Sequence, residues 1–165
     1  MAQSVVDIVV KQLGKETGKH FGTCVTKSLP ISGGDLSGSK FFEQFIQSKK
    51  DLGIKLGLSE DESLKLARFY GTNVDIVFAF VHEATGELPA VIYAKLYYSI
   101  YYESVSKPVD FFIRRTGALY FDVHFVNEYK EAITKEMQKI FSWTAEQTDA
   151  YILQLNQALA EITLK

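Results

Sequence analysis

The charged residues in the second half of the chain carry its clearest candidate chemistry. Glu103, Asp110, Arg114 and Arg115 stand among bulky apolar residues, where a protein core is expected. Buried charges are costly unless they are paired and hydrogen-bonded. The sequence therefore predicts that these four side chains form one hydrogen-bonded ionic cluster between two helices.

Helix geometry indicates how such a cluster is built. Pro108 suits the first turn of a helix, which makes Asp110 the third residue, near the positive end of the helix dipole. Asp110 also lies four residues before Arg114, on the same face of the helix. Glu103, in the last turn of the preceding helix, can reach either Arg114 or Arg115, and a guanidinium suits two-point pairing with a carboxylate.

Two roles fit these four residues. They can act as a structural clamp that fixes the angle between the two helices. Alternatively, they can form an anion site for a phosphorylated substrate, with one arginine left free. Because two nearby carboxylates would already neutralise the positive charge, the clamp is favoured.

Other patterns give weaker signals. Residues 33–40 (GGDLSGSK) look like a phosphate loop, but no lysine follows the second glycine of the pattern directly, as a Walker sequence requires. His20, His82 and His124 are far apart and lack the neighbours of metal ligands. Cys24 has no base beside it in the sequence. The residues therefore favour a plain loop at 33–40, no metal-binding residue and an inert Cys24 thiol.

Apolar residues recur at three- and four-residue spacing, the pattern of amphipathic helices, and strand-like alternation is nowhere sustained. Capping boxes are predicted at Ser59–Glu62 and Thr144–Gln147, and Asp122 and Thr72 are predicted N-caps. The predicted helices cover about 2–14, 40–56, 59–70, 72–81, 89–105, 108–116, 123–141 and the residues after 144. The fold class is all-α: a single helical domain of about seven to eight helices.

The predicted organisation has three parts: a lead-in helical segment (1–22), an irregular loop (23–39) and a helical bundle (40–165). In the bundle, Tyr93, Tyr97 and Tyr101 repeat every four residues. We expect these rings to pack in the core or at an interface, because tyrosine combines a large apolar body with one polar tip.

Composition excludes several classes of protein. The net charge is −2, and the basic residues are scattered, which argues against binding of nucleic acid. A single cysteine excludes an intrachain disulfide framework and suits a reducing compartment, so a cytoplasmic location is expected. No apolar run reaches the ~18 residues of a transmembrane helix.

Three segments together resemble the C-terminal domain of the FAD-dependent glycerol-3-phosphate dehydrogenases and oxidases of Gram-positive type. They are residues 24–35 (CVTKSLPISGGD), 66–71 (LARFYG) and 108–117 (PVDFFIRRTG). The last segment is the most specific of the three. The similarity spans nearly the whole chain.

The resemblance implies a parent enzyme that oxidises sn-glycerol 3-phosphate to dihydroxyacetone phosphate. Its flavin passes electrons to oxygen or to a membrane quinone, and the choice of acceptor stays open. The family's FAD-binding domain, opened by a G-x-G-x-x-G fingerprint, would lie before residue 1, and this chain has no such fingerprint. The resemblance therefore implies that no catalytic or cofactor-binding residue lies in this chain, and that its partner is the FAD-binding domain. A homodimer and a peripheral membrane association of the parent are left open.

A second hypothesis belongs to another class of protein. In it, the chain is a free-standing helical protein-interaction module without an enzymatic parent. An adjoining coding sequence that contains G-x-G-x-x-G would favour the enzyme.

Overall fold

Helices are the regular elements throughout the part of the chain that the computed structural model describes, residues 2–36 and 38–163. No strand occurs in these ranges, so the predicted all-α class is confirmed. The chain divides after Asp35 into two compact units. None of the helices in the described ranges is both long and apolar enough to cross a bilayer.

The first unit contains α1 (Ala2–Thr17) and the irregular segment that follows it. The helix ends because Gly18 takes a positive φ of 69° and its N–H bonds to the carbonyl oxygen of Gly14 at 3.0 Å. The helix therefore extends three residues beyond the predicted 2–14. None of the described residues from 2 to 35 is buried.

The second unit holds the remaining helices. In chain order they are α2 (Phe42–Lys55), α3 (Glu60–Tyr70), α4 (Val74–Glu83), α5 (Ala90–Glu103), α6 (Pro108–Asp110), α7 (Ala118–Phe121), α8 (Val123–Phe141) and α9 (Ala145–Thr163). Short 3₁₀ turns precede α2 and α4, and a π-helical turn, Phe111–Arg115, joins α6 to α7.

Side-chain caps start three of these helices as predicted. The Ser59 hydroxyl accepts from the Glu62 N–H at 3.2 Å, and the Glu62 carboxylate accepts from the Ser59 N–H at 2.9 Å. Thr144 and Gln147 form the second box, and Asp122 caps α8.

The predicted Thr72 cap is wrong. The chain enters α4 through the 3₁₀ turn Gly71–Asn73, and Thr72 lies inside that turn.

Two apolar cores hold the second unit together, and α5 contributes to both of them. The first core, among α2 to α5, is built around Ile46, Leu66, Val74, Val77 and Phe78. The second core, from α5 to α9, is built around Leu96, Phe111, Phe112, Ile133, Met137 and Leu155. Because α5 serves two cores, it is apolar on opposite sides instead of along one stripe.

Close contact between α2 and α3 depends on Gly53. A Cβ atom at this position would lie 2.7 Å from the Ser63 Cβ and 3.1 Å from the Phe78 Cζ. Ser63 is itself fully buried and donates its hydroxyl to the Ser59 carbonyl oxygen at 2.8 Å. Any larger residue at position 53 must push these helices apart.

Candidate functional site

The candidate site lies where α5 ends and the chain turns back towards the second core. Ser104 takes a left-handed conformation with φ of 60°, and the Val105 N–H bonds to the Ser99 carbonyl oxygen at 3.0 Å. The chain then extends to Pro108, the first residue of α6. Glu103 is therefore held at the last position of α5.

The segment after α6 is a π-helical turn and not the regular helix predicted for 108–116. The Thr116 N–H bonds to the carbonyl oxygen of Phe111, five residues back, at 2.9 Å, and the Thr116 hydroxyl donates to the same oxygen at 3.0 Å. Phe111 and Phe112 are both buried in this wider turn. Of the two arginines in this turn, Arg114 is exposed and Arg115 is partly buried.

The four predicted residues form two ion pairs. Arg115 donates through Nη2 to Oε1 of Glu103, which joins the π turn to the end of α5. Arg114 donates through Nη1 to Oδ1 of Asp110, one helical turn earlier in the same segment. Of the two partners that Glu103 could reach, the structure selects Arg115.

The two pairs differ in their exposure to solvent. The difference lies in the arginines, since side-chain exposure is 31% for Arg115 and 67% for Arg114, whereas the carboxylates are alike at 19% for Glu103 and 21% for Asp110. The sequence predicts one shared cluster among apolar residues. The structure places Arg114 at the surface instead. Its partner Asp110 is four residues earlier in the same segment, so Arg114 can pair with it without packing against the core.

The Arg115 pair leaves polar atoms without partners. Glu103 Oε2 and Arg115 Nε are buried and have no hydrogen-bond partner among the described residues. Such atoms reduce the net gain from an ion pair, because each has lost its hydration. The pair still leaves no uncompensated charge on either side chain.

A small cavity opens beside Arg115. Its volume is about 110 Å³, and it is lined by Phe69, Tyr70, Lys95, Phe111, Arg115 and Thr116. Burial, and to a lesser degree the positive charge of Lys65, lowers the pKa of Lys95. The sequence reasoning missed Lys95, although helical spacing puts it two turns before Glu103 on α5.

Two tyrosines near the site, Tyr70 and Tyr98, have raised pKa values. Burial raises the pKa of Tyr70 above its ordinary range, and the negative charge of Glu103 adds to that effect. The pKa of Tyr98 is raised by the same two causes in the same order. The rings of Tyr70 and Tyr98 meet edge to face with centroids 4.9 Å apart. The site is therefore flanked by neutral phenols.

The tyrosine row of α5 runs from the core to the surface. Tyr93 is buried, and Tyr97 donates its hydroxyl to Glu136 Oε1 on α8 at 2.8 Å. Tyr101 and Tyr102, however, are more than half exposed, so core packing is wrong for the last turn of the helix, and packing at an interface stays a prediction there. The Tyr101 ring still stacks on Phe80 of α4, with centroids 6.1 Å apart, so both ends of the row contact neighbouring helices.

The remaining sequence candidates do not assemble a reactive centre in the structure. No group of three or more histidine, cysteine, aspartate or glutamate side chains suited to a metal ion occurs in the described ranges. Cys24 is exposed, and its Sγ lies 3.1 Å from the Thr26 hydroxyl. Hydrogen bonds from Thr26, chiefly from its side chain, lower the pKa of the Cys24 thiol. What the described geometry offers chemically is ion pairing between helices.

Comparison with known sequences identifies the family. The family model described as the C-terminal domain of alpha-glycerophosphate oxidase matches residues 24–148. The chain belongs to this family of C-terminal domains, and the resemblance stated from the sequence is confirmed.

Full-length relatives extend well beyond the region that matches this chain. The aerobic glycerol-3-phosphate dehydrogenase of Staphylococcus aureus is 42% identical over 164 residues, which are 98% of this chain and 29% of that protein. The enzyme of the same name from Staphylococcus haemolyticus is 40% identical over 166 residues, 99% of this chain and 30% of that protein. The chain thus spans less than a third of these relatives.

A solved structure shares the fold. The glycerol-3-phosphate dehydrogenase from Bacillus halodurans, complexed with FAD, superposes with a TM-score of 0.81 at 34% identity. The match covers 94% of this chain and 32% of that protein.

The residues described for this chain do not fit FAD. Binding of a dinucleotide in the family fingerprint requires a strand, a glycine-rich loop and a helix in succession, and the described ranges contain no strand. The cavity beside Arg115, at about 110 Å³, is smaller than the roughly 300 Å³ at which ligand pockets begin, and the cavity of about 380 Å³ between α8 and α9 has no glycine in its lining. No step involving flavin is therefore assigned to residues of this chain.

Proposed function

We propose that this chain is the C-terminal accessory domain of an FAD-dependent glycerol-3-phosphate oxidoreductase. The observation that carries the proposal is the match of residues 24–148 to the C-terminal domain family, together with the fold shared with an FAD-complexed dehydrogenase. The parent enzyme converts sn-glycerol 3-phosphate to dihydroxyacetone phosphate. Its electrons pass to oxygen or to a quinone.

In this proposal the domain is structural and has no catalytic activity by itself. FAD and the reacting carbon of the substrate are held by the remainder of the parent, and this domain packs beside the flavin-binding portion and stabilises it. The proposed location is cytoplasmic, which the single exposed cysteine supports. Assembly of two parent chains into a homodimer is a further part of the proposal.

The ion pairs act as the clamp in this proposal. The Arg115–Glu103 pair links the π turn to the end of α5, and α5 in turn contributes to both apolar cores. A fixed angle at this junction would keep the two cores in one arrangement. The Arg114–Asp110 pair, within a single turn, has only a local effect.

Docking in trans tests the accessory role. The 165-residue chain is mixed with the flavin-binding portion of the Staphylococcus aureus relative, produced without the region that matches this chain. We expect a stable complex at micromolar concentration by size-exclusion chromatography and calorimetry. Absence of binding would contradict the proposal and would favour the free-standing interaction module.

A spectroscopic test uses the chain alone. Purified after addition of excess FAD and gel filtration, it should be colourless and inactive with glycerol 3-phosphate. A stoichiometric flavin spectrum retained by the isolated chain would contradict the assignment of FAD to the remainder of the parent.

A further inference from the structure

The first unit has no core of its own, although its helix has a marked apolar face. Val5, Val6, Val9 and Leu13 lie on one side of α1, with Ile8 at its edge, and Val5 and Ile8 are 60% and 67% exposed. The segment after the helix adds further exposed apolar side chains: Phe21, Val25, Leu29 and Ile31. A unit this small that buries nothing is not stable without a partner.

The sequence comparisons indicate which protein this helix belongs with. The C-terminal domain family begins at residue 24, so α1 lies before the domain that defines the family. The dehydrogenase relatives nevertheless match 98–99% of this chain, so their similarity extends through α1. These relatives also contain more than twice as much additional sequence, since the match covers only 29–30% of their length.

We infer that α1 is a structural helix of the flavin-binding portion of the parent enzyme, where its apolar face is covered. This inference rests on the proposed function and assigns the docking surface that the proposed function leaves open. The family boundary at residue 24 and the unit boundary after Asp35 place α1 outside the helical domain that follows. A second copy of the chain could cover the same face. Pairing of two copies, however, would not explain why the long relatives match the chain through α1 while the domain family begins only at residue 24.

The opposite face of α1 provides a matched control. Ser4 and Lys11 lie on that side of the helix and are exposed. The variant Val5→Asp/Val9→Asp places two carboxylates on the apolar face. The control Ser4→Asp/Lys11→Gln also lowers the net charge by two, but it leaves the apolar face intact.

The test is recovery of the flavin-binding portion by co-expression. The truncated Staphylococcus aureus portion is produced in the same cells as the affinity-tagged 165-residue chain, either wild type or variant. Bound flavin in the purified complex is read from its visible absorbance. Wild type and control should recover flavoprotein, and Val5→Asp/Val9→Asp should recover at least about tenfold less, because two charges would be buried without partners.

Each outcome decides between explanations. Equal recovery by all three chains would overturn the inference and leave the proposed function standing. No recovery, even by wild type, would overturn both. A dimer of the isolated chain in sedimentation that the double variant dissociates, with recovery of flavoprotein unchanged, would assign the face to a second copy instead. Circular dichroism of each purified chain checks that the second unit is folded.

Discussion

The two units of the chain contrast in how their apolar residues are used. The second unit buries its apolar helix faces in two cores that share α5. The first unit has a helix of similar amphipathic pattern, yet none of its described residues is buried. Amphipathic periodicity therefore marks a face that will be covered, but it does not identify what covers it.

This contrast predicts how each unit responds to mutation. Substitutions in the second unit remove contacts made within the chain, so they should change its free energy of unfolding. Substitutions on the apolar face of α1 remove nothing that the isolated chain buries. Four predictions test this difference, beginning with the largest effect.

Phe112→Ala should destabilise the chain by about 3–5 kcal/mol, because it leaves a cavity at a fully buried position of the second core. The measurement is urea unfolding of the 165-residue chain. Phe121→Ala is the matched control, since Phe121 is 90% exposed, and it should change the free energy of unfolding by less than about 0.5 kcal/mol. Similar losses in both variants would contradict the assignment of the core.

Arg115→Ala should cost about 2 kcal/mol, since it leaves the largely buried Glu103 carboxylate without its cation. Arg114→Ala removes a guanidinium that is itself 67% exposed, from a carboxylate, Asp110, that is 21% exposed, and should cost less, about 1 kcal/mol. Thermal melts of both variants compare them directly. If neither melt moves, the clamp is ruled out.

Ser59→Ala should cost about 1 kcal/mol at neutral pH, because it removes the hydroxyl that caps α3. The cost should shrink in acid. The Ser59 hydroxyl, and then the Ser59 backbone N–H, lower the pKa of Glu62 from its ordinary value of 4.5. This contribution is complete above about pH 4.5 and is lost as the pH falls through the lowered pKa of the folded state.

The second capping box is the control for this pH dependence. Thr144 pairs with Gln147, whose amide does not titrate. Thr144→Ala should therefore show a loss of stability that stays constant between neutral and acidic pH. A loss that shrinks equally in both variants would show that charge on Glu62 is not the cause.

Val9→Ala on α1 should leave the unfolding free energy of the isolated chain within about 0.5 kcal/mol of wild type. Val77→Ala makes the same chemical change at a fully buried position of the first core and should cost about 2 kcal/mol. Equal costs in denaturant titrations would mean that the first unit is packed within the isolated chain, and the contrast between the units would fail.

Local signals were sufficient for much of the fold. Both capping boxes, the Asp122 cap and the all-α class follow from residues within one helical turn of each other, so they were predictable. The start of α4 was predicted wrongly, because the chain enters this helix through a 3₁₀ turn, a common feature of helix ends, and Thr72 lies inside that turn. Gly53 gave no sequence signal, since its role depends on Ser63 of the neighbouring helix.

By itself, the sequence determined the all-α class, most of the helices, the caps at Ser59, Asp122 and Thr144, the residues able to form ion pairs and the family resemblance. Only the tertiary structure decided that Glu103 pairs with Arg115, that Arg114 stays in solvent and that the segment after Asp110 is a π turn. The physical reason is the sequence separation over which each interaction acts. Caps and periodicity act between residues about four positions apart, whereas the choice among equivalent charged partners is made by burial, which depends on the whole fold.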